Sequence, residues 1–423
     1  MNNDRIAGSL AAWLRRGMFV IALALAACGG GGGGGGGDGG SAGAGSSSGS
    51  PAGGGSGSPT SSTPPGAANA VTVTVAQGTS NVLNIPTVSV TVCVPGTSTC
   101  QTVDNVQVDT ESFGLRLLSS ALSSSMNGAL PVSTAGNGGT LAECANFADG
   151  YMWGSVRTAD VKIGGETASA IPLQVVGDLA STSVPTACQN LGSAEDTQTD
   201  IGANGILGIG VAPTDCDAAC AADPANSGYY GCPSGANCTG TALTLAQTVA
   251  NPVPHFATDN NGVILQMPAI GDGGAPSATG TLLFGIGTQS NNALSAAQRF
   301  GTNAAGDVNA TFNGAPLVAF LDSGSNGLFF DDSSITPCTG AFAGFYCPAS
   351  PLALSATLTG VDRSTGSVSF EVADAQTLYN TGNLAFDNLA GDFGSNAVLD
   401  LGLPFFYGKS VYYGYGSAPF VAF

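Results

Sequence analysis

The chain has 423 residues, 43% of them hydrophobic, with 9 Lys+Arg against 28 Asp+Glu and a formal net charge of −19. That length and apolar content allow two domains of ordinary size around a large core. With lysine only at Lys162 and Lys409 and so large an acidic excess, the chain repels nucleic acid and anionic lipid, which excludes a nucleic-acid role.

Residues 1–28 read as a secretory signal: Arg5, Arg15 and Arg16 make a basic start, "MFVIALALAA" a short apolar run, and "LAAC" ends at Cys28. The run is too short to span a bilayer. Small residues placed directly before cysteine resemble the bacterial lipobox, which implies that Cys28 is lipidated and that the protein is anchored by acyl chains. By the sorting rule that the lipobox resemblance brings with it, Gly29 rather than Asp next to that cysteine implies the outer membrane, facing the periplasm or the cell surface. Residues 29–68 are Gly, Ser, Pro and Ala with almost no charge, a flexible tether whose ends lie about 35 Å apart on average. Removing the signal, with its three arginines and one aspartate, leaves 6 Lys+Arg and 27 Asp+Glu, a charge near −21.

Beyond the tether, alternation dominates: "VTVTV" (71–75), "VSVTVCV" (88–94), "GSVRTADVKIGG" (154–165), "GVILQM" (262–267), "GTLLFGIG" (280–287) and "GSVSFEV" (366–372), each bounded by turn residues. Short strands so punctuated predict an all-β protein with few short helices. Residues 242–251, 295–300 and 374–379 are the helix candidates. Ten cysteines remain after Cys28, an even number in an exported chain, so disulfides are expected. Spacing suggests Cys93 with Cys100, Cys338 with Cys347, two bridges within Cys216, Cys220, Cys232 and Cys238, and Cys144 with Cys188. A zinc site from the four clustered cysteines fits the export route poorly.

The informative feature is an internal repeat. "VQVDTESFGLRLL" (106–118) and "VAFLDSGSNGLFF" (318–330) each run an apolar strand into an aspartate, then a hydroxyl residue, and then a serine three positions after the aspartate. "NGILGIG" (204–210) and "NAVLDLG" (396–402) follow them in the same order, 95 and 74 residues after the respective aspartates. The chain therefore reads as two lobes of related design, 69–250 and 251–423, each supplying one aspartate. A lone aspartate after a strand is usually a turn former. A duplicated one suggests carboxylates facing each other across a pseudo-two-fold axis, sharing a proton so that one serves as base and the other as acid.

These residues resemble the pepsin-like aspartic peptidases over most of the chain beyond the tether. "VDTES" and "LDSGS" look like the family's two active-site loops, and "NGILGIG" like its hydrophobic-hydrophobic-Gly segment. "FADGYMWGSVRTADVKIGG" (147–165) is similar to its flap hairpin. The resemblance implies a bilobal all-β fold and a catalytic dyad of Asp109 and Asp322 that needs no metal or cofactor. It implies a hydroxyl grip by Thr110 and Ser323, serines Ser112 and Ser325 orienting the outer carboxylate oxygens, and Gly324 completing the second loop. Residues 205–208 and the matching 397–400 would pack behind the loops. The first loop departs from the family with Glu111 in place of glycine, a third carboxylate that a left-handed backbone would strain. The flap carries Phe147 where the family has tyrosine, leaving Tyr151 to supply a hydroxyl. His255, the single histidine, has no visible partner and reads as structural or surface.

The function expected is therefore hydrolysis of a polypeptide substrate by a lipid-anchored monomer. Two alternatives fit the same residues: a peptide- or protein-binding module whose chemistry Glu111 disables, and a passive surface lipoprotein.

Overall fold

The computed structural model describes residues 67–423 other than Asp149 and Asn226. The signal, the lipidation candidate Cys28 and nearly all of the tether lie outside the described residues.

Strands follow the alternation. Along Thr365–Val372 the side chains of Val368, Phe370 and Val372 are buried while those of Ser367 and Ser369 face solvent. Where a strand is covered on both faces the pattern becomes continuous, as in Gly205–Ile209 and Val398–Gly402, every residue of which is buried. Among the described residues no α-helix exceeds six residues, and none is long and apolar enough to cross a membrane. The expected helix at the end of the chain forms over Ala375–Asn380, capped by Asp374, which accepts from Thr377 N at 2.6 Å. The other two helix candidates do not form. Residues 299–301 are instead a strand, Arg299–Gly301, because pairing with the C-terminal strand Phe420–Ala422 satisfies that strand's free edge. Only the 3₁₀ turn Leu245–Gln247 lies within 242–251.

One sheet of 16 strands and one of seven make up the fold. The larger contains strands from both halves, joined where Ala70–Val75 pairs antiparallel with Ala278–Phe284, Ala70 facing Leu283 and Val75 facing Ala278. A single core cluster runs through both halves and includes Val73, Val106, Leu207, Leu282, Leu321 and Leu401. Each such fully buried aliphatic side chain stabilises the fold by about 1.5–3 kcal/mol. Among the described residues five disulfides form: Cys93–Cys100, Cys144–Cys188, Cys216–Cys220, Cys232–Cys238 and Cys338–Cys347. This is the all-β, two-halved architecture expected from the sequence.

The halves share a motif. Cys100–Asp109 lies parallel to Gly205–Ile209, which in turn pairs antiparallel with Phe113–Leu118. In the second half Ala315–Asp322 lies parallel to Val398–Gly402, which pairs antiparallel with Leu328–Phe330. Register corrects the sequence alignment by two residues. Gly208 stands opposite Asp109 and Gly402 opposite Asp322, so Ile206-Leu207-Gly208 matches Asp400-Leu401-Gly402. The reason is steric: a Cβ at Gly208 would meet Phe113 N at 2.6 Å, and one at Gly402 would meet Gly327 O at 1.9 Å. Glycine is required at that point of close backbone approach, and Asp400 consequently occupies the place of Ile206.

Candidate active site

A buried strand can end on a carboxylate only if the following loop supplies donors. After Asp109 the chain turns so that Glu111 N and Ser112 N both donate to its Oδ1 at 2.9 Å, while Ser112 Oγ donates to Oδ2 at 2.7 Å. Asp322 repeats the pattern, accepting from Gly324 N at 2.7 Å and from Ser325 Oγ at 2.9 Å.

The hydroxyls of Thr110 and Ser323 lock the two loops together. Thr110 Oγ1 donates to Leu321 O at 3.0 Å and accepts from Ser323 N at 2.9 Å; Ser323 Oγ donates to Val108 O at 2.8 Å. Both residues are essentially buried, at 1% and 0% exposure, so these bonds cannot be traded for water. Gln107 Nε2 adds a bond to Gly324 O at 2.7 Å, and Tyr413 Oη one to Leu321 O at 2.6 Å. Gly324 is needed for space, since a Cβ there would fall 2.7 Å from Asp109 Cγ. The loops thus press together and set the Asp109 carboxyl near enough to Asp322 that its charge bears on it.

Two further acids crowd this pair. Asp400, 2% exposed, lies beside Asp322 and Ser325, and its Oδ1 has no hydrogen-bond partner. Glu111 turns its carboxyl toward Gly306 and Asp307, with Oε2 likewise buried and unpartnered. Its backbone is not left-handed, so the strain expected at this position does not arise. The cost of Glu111 is electrostatic. Burial, followed by Asp307, Asp322, Asp109 and Asp400, raises its pKa well above the ordinary glutamate value. Burial and then Asp322 raise Asp400 in the same way. For Asp322, burial and then the Asp109 charge push the pKa up to about 8.

These three acids have folded-state pKa values above their unfolded ones, so the folded chain holds their protons more tightly. Their stabilising contribution is complete below the ordinary carboxylate range and is lost as pH rises toward about 8 for Asp322. Urea unfolding should therefore give a lower midpoint at about pH 8 than at about pH 5, and Asp322→Asn should flatten that fall. A midpoint that rises over this interval, or an unchanged slope in the variant, contradicts the cluster.

Other anticipated residues sit elsewhere. The hairpin between Thr140–Asn146 and Gly150–Ile163 places Phe147 against the cluster of Leu118, Ala145 and Met152, 5.8 Å from the Arg116 guanidinium. Tyr151 is buried with Cys144, Trp153 and Cys188. Neither ring belongs to the hydrogen-bond set around the carboxylates. His255 is exposed at the end of the short turn Val253–His255. Sequence reasoning missed a buried network behind the first loop, in which Arg116 Nη2 bonds Glu143 Oε1 at 2.5 Å and Asp215 Oδ2 at 3.1 Å. Tyr229 Oη completes it, donating to Asp215 Oδ1 at 2.7 Å. The available signal was a single arginine in the otherwise apolar "FGLRLL".

The family model described as "Protein of unknown function (DUF3443)" matches residues 65–423. No curated protein matches the sequence. Among solved structures, an aspartic proteinase from Irpex lacteus is similar at 16% identity and a TM-score of 0.49, over 84% of this chain and 97% of that one.

Proposed function

We propose that the chain, which belongs to that family, is an exported, lipid-anchored endopeptidase of aspartic type, held at the bacterial envelope through Cys28. The observation that carries this reading is the reciprocal grip of Thr110 and Ser323, which brings the loops of Asp109 and Asp322 together from opposite halves of the sequence so that the charge of one bears on the other. Two carboxyls so close hold one proton between them. One then draws a proton from a water attacking the amide carbonyl while the other protonates the carbonyl oxygen; the first next gives its proton to the leaving nitrogen as the second takes one back from the tetrahedral diol. Ser112 and Ser325 fix the outer oxygens, so neither carboxyl has to reorient during the reaction. The test is cleavage of an unfolded polypeptide between about pH 3 and about pH 7, with and without a transition-state inhibitor of aspartic peptidases. No cleavage anywhere in that range removes the reading.

Glu111 favours the second reading, a cleft that grips peptide without cutting it. In the catalytic account, Glu111 is neutral at acid pH and harmless there; once ionised, it opposes the negative charge that the dyad must hold to act as a base. Glu111→Gln should then match wild type wherever Glu111 is protonated, near about pH 4, and exceed it only above the pH at which Glu111 ionises, itself shifted up by burial. If wild type is inert at both and the variant active at both, the binding module is the better description.

A further inference from the structure

The two aspartates are not held alike. Asp109 accepts three donors from its own loop, Glu111 N, Ser112 N and Ser112 Oγ, whereas Asp322 accepts two, Gly324 N and Ser325 Oγ. Ser325 N, the counterpart of Ser112 N, turns instead to the backbone oxygen of Asp322 at 3.2 Å. Left to its own bonds, the second loop is the less restrained of the two.

Gln107 makes up the difference from the other half of the chain. It lies two residues before Asp109, so its side chain leaves the strand on the same face, and it is 5% exposed. Its Nε2 donates to Gly324 O at 2.7 Å, and only the nitrogen of the amide can face a carbonyl oxygen. Gly324 O belongs to the peptide that joins Gly324 to Ser325, the two residues whose donors hold Asp322. Glycine has the widest backbone freedom of any residue, so this peptide is the one most in need of an outside hold. The second half cannot return the bond: Phe320, in the matching place two residues before Asp322, has no side-chain donor and packs its ring 6.4 Å from that of Phe393. We infer that Gln107 is a positioning residue for the dyad, fixing the Gly324–Ser325 peptide so that both donors stay on Asp322 as its proton comes and goes. Its effect on turnover rests on the peptidase activity proposed for the site.

Gln107→Met keeps the length of the side chain and removes the donor. Hydrogen exchange of the intact protein, read by NMR, should show the Gly324 amide exchanging about tenfold faster in this variant, with the Ser112 amide unchanged as the internal control. The kcat for an unfolded substrate should fall about tenfold at a KM within about twofold of wild type. Gln107→Glu should recover most of the Gly324 protection and of the rate at about pH 4, where the protonated acid can donate, and lose both as the acid ionises. That second variant reads the proposal even if the first fails to fold. An unmoved Gly324 amide would overturn it, as would equal acceleration at Ser112, which is general loosening, or a Glu variant no better than the Met one at about pH 4. Should wild type cleave nothing, the peptidase reading falls, and the two amides still decide the role of Gln107.

Discussion

Asp322→Asn is expected to lower peptide-bond cleavage by about 10²–10⁴-fold while leaving the far-ultraviolet circular dichroism unchanged. Asparagine keeps the shape of the side chain; its oxygen can accept from Gly324 N and its amide can donate to Ser325 Oγ, so the loop and the grip survive. What it removes is the group that gains and loses a proton. Asp109→Asn should lose as much, and the double variant should lose scarcely more than either single one, because the two carboxyls act as one unit. Kinetics on a fluorogenic unfolded substrate provide the measure. Undiminished activity in Asp322→Asn would show that any proteolysis arises elsewhere.

The largest effect on stability is expected from Arg116→Met. Arg116 is 3% exposed, and its guanidinium faces Glu143 and Asp215, themselves nearly or wholly buried. Met fills most of the volume but leaves two carboxyls without their cation. Removing one partner of a buried ion pair typically costs about 3–5 kcal/mol, far more than the pair itself contributes over an apolar replacement. Burial, and then Glu143, already raise the Asp215 pKa, so the variant should take up a proton and lose part of that penalty at acid pH. Urea unfolding at about pH 7 should show the full loss, and Arg116→Met combined with Glu143→Gln should lose less than the sum of the two. A loss under about 1 kcal/mol would mean that water reaches the network.

Both predictions draw on features that the sequence displayed unequally. The duplicated aspartate loops were legible because the carboxylate's own donors are local, a serine three residues on and the backbone of the same turn, even though the hydroxyl between them bonds the opposite loop. Alternation likewise marked strands such as Thr365–Val372, where one face is wet. The second motif was matched two residues out of register because asparagines resemble each other in sequence, whereas the fold demands alignment of Gly208 with Gly402. That slip hid Asp400, which reads as a packing residue until register sets it beside Asp322. The Arg116 network was not legible, since Arg116 and Asp215 stand 99 positions apart and nothing local pairs them. Residues 295–300 looked helical by composition, yet the open edge of a distant strand claimed their end.

Carbon-13 NMR titration of the Asp322 carboxyl, in wild type and in Asp109→Asn, addresses the shared proton itself. Wild type should titrate near about 8, and neutralising residue 109 should bring Asp322 down toward the ordinary carboxylate range, with burial retaining part of the elevation. An Asp322 that titrates normally in wild type, or that ignores the change at Asp109, would mean the two halves of the chain do not build one site.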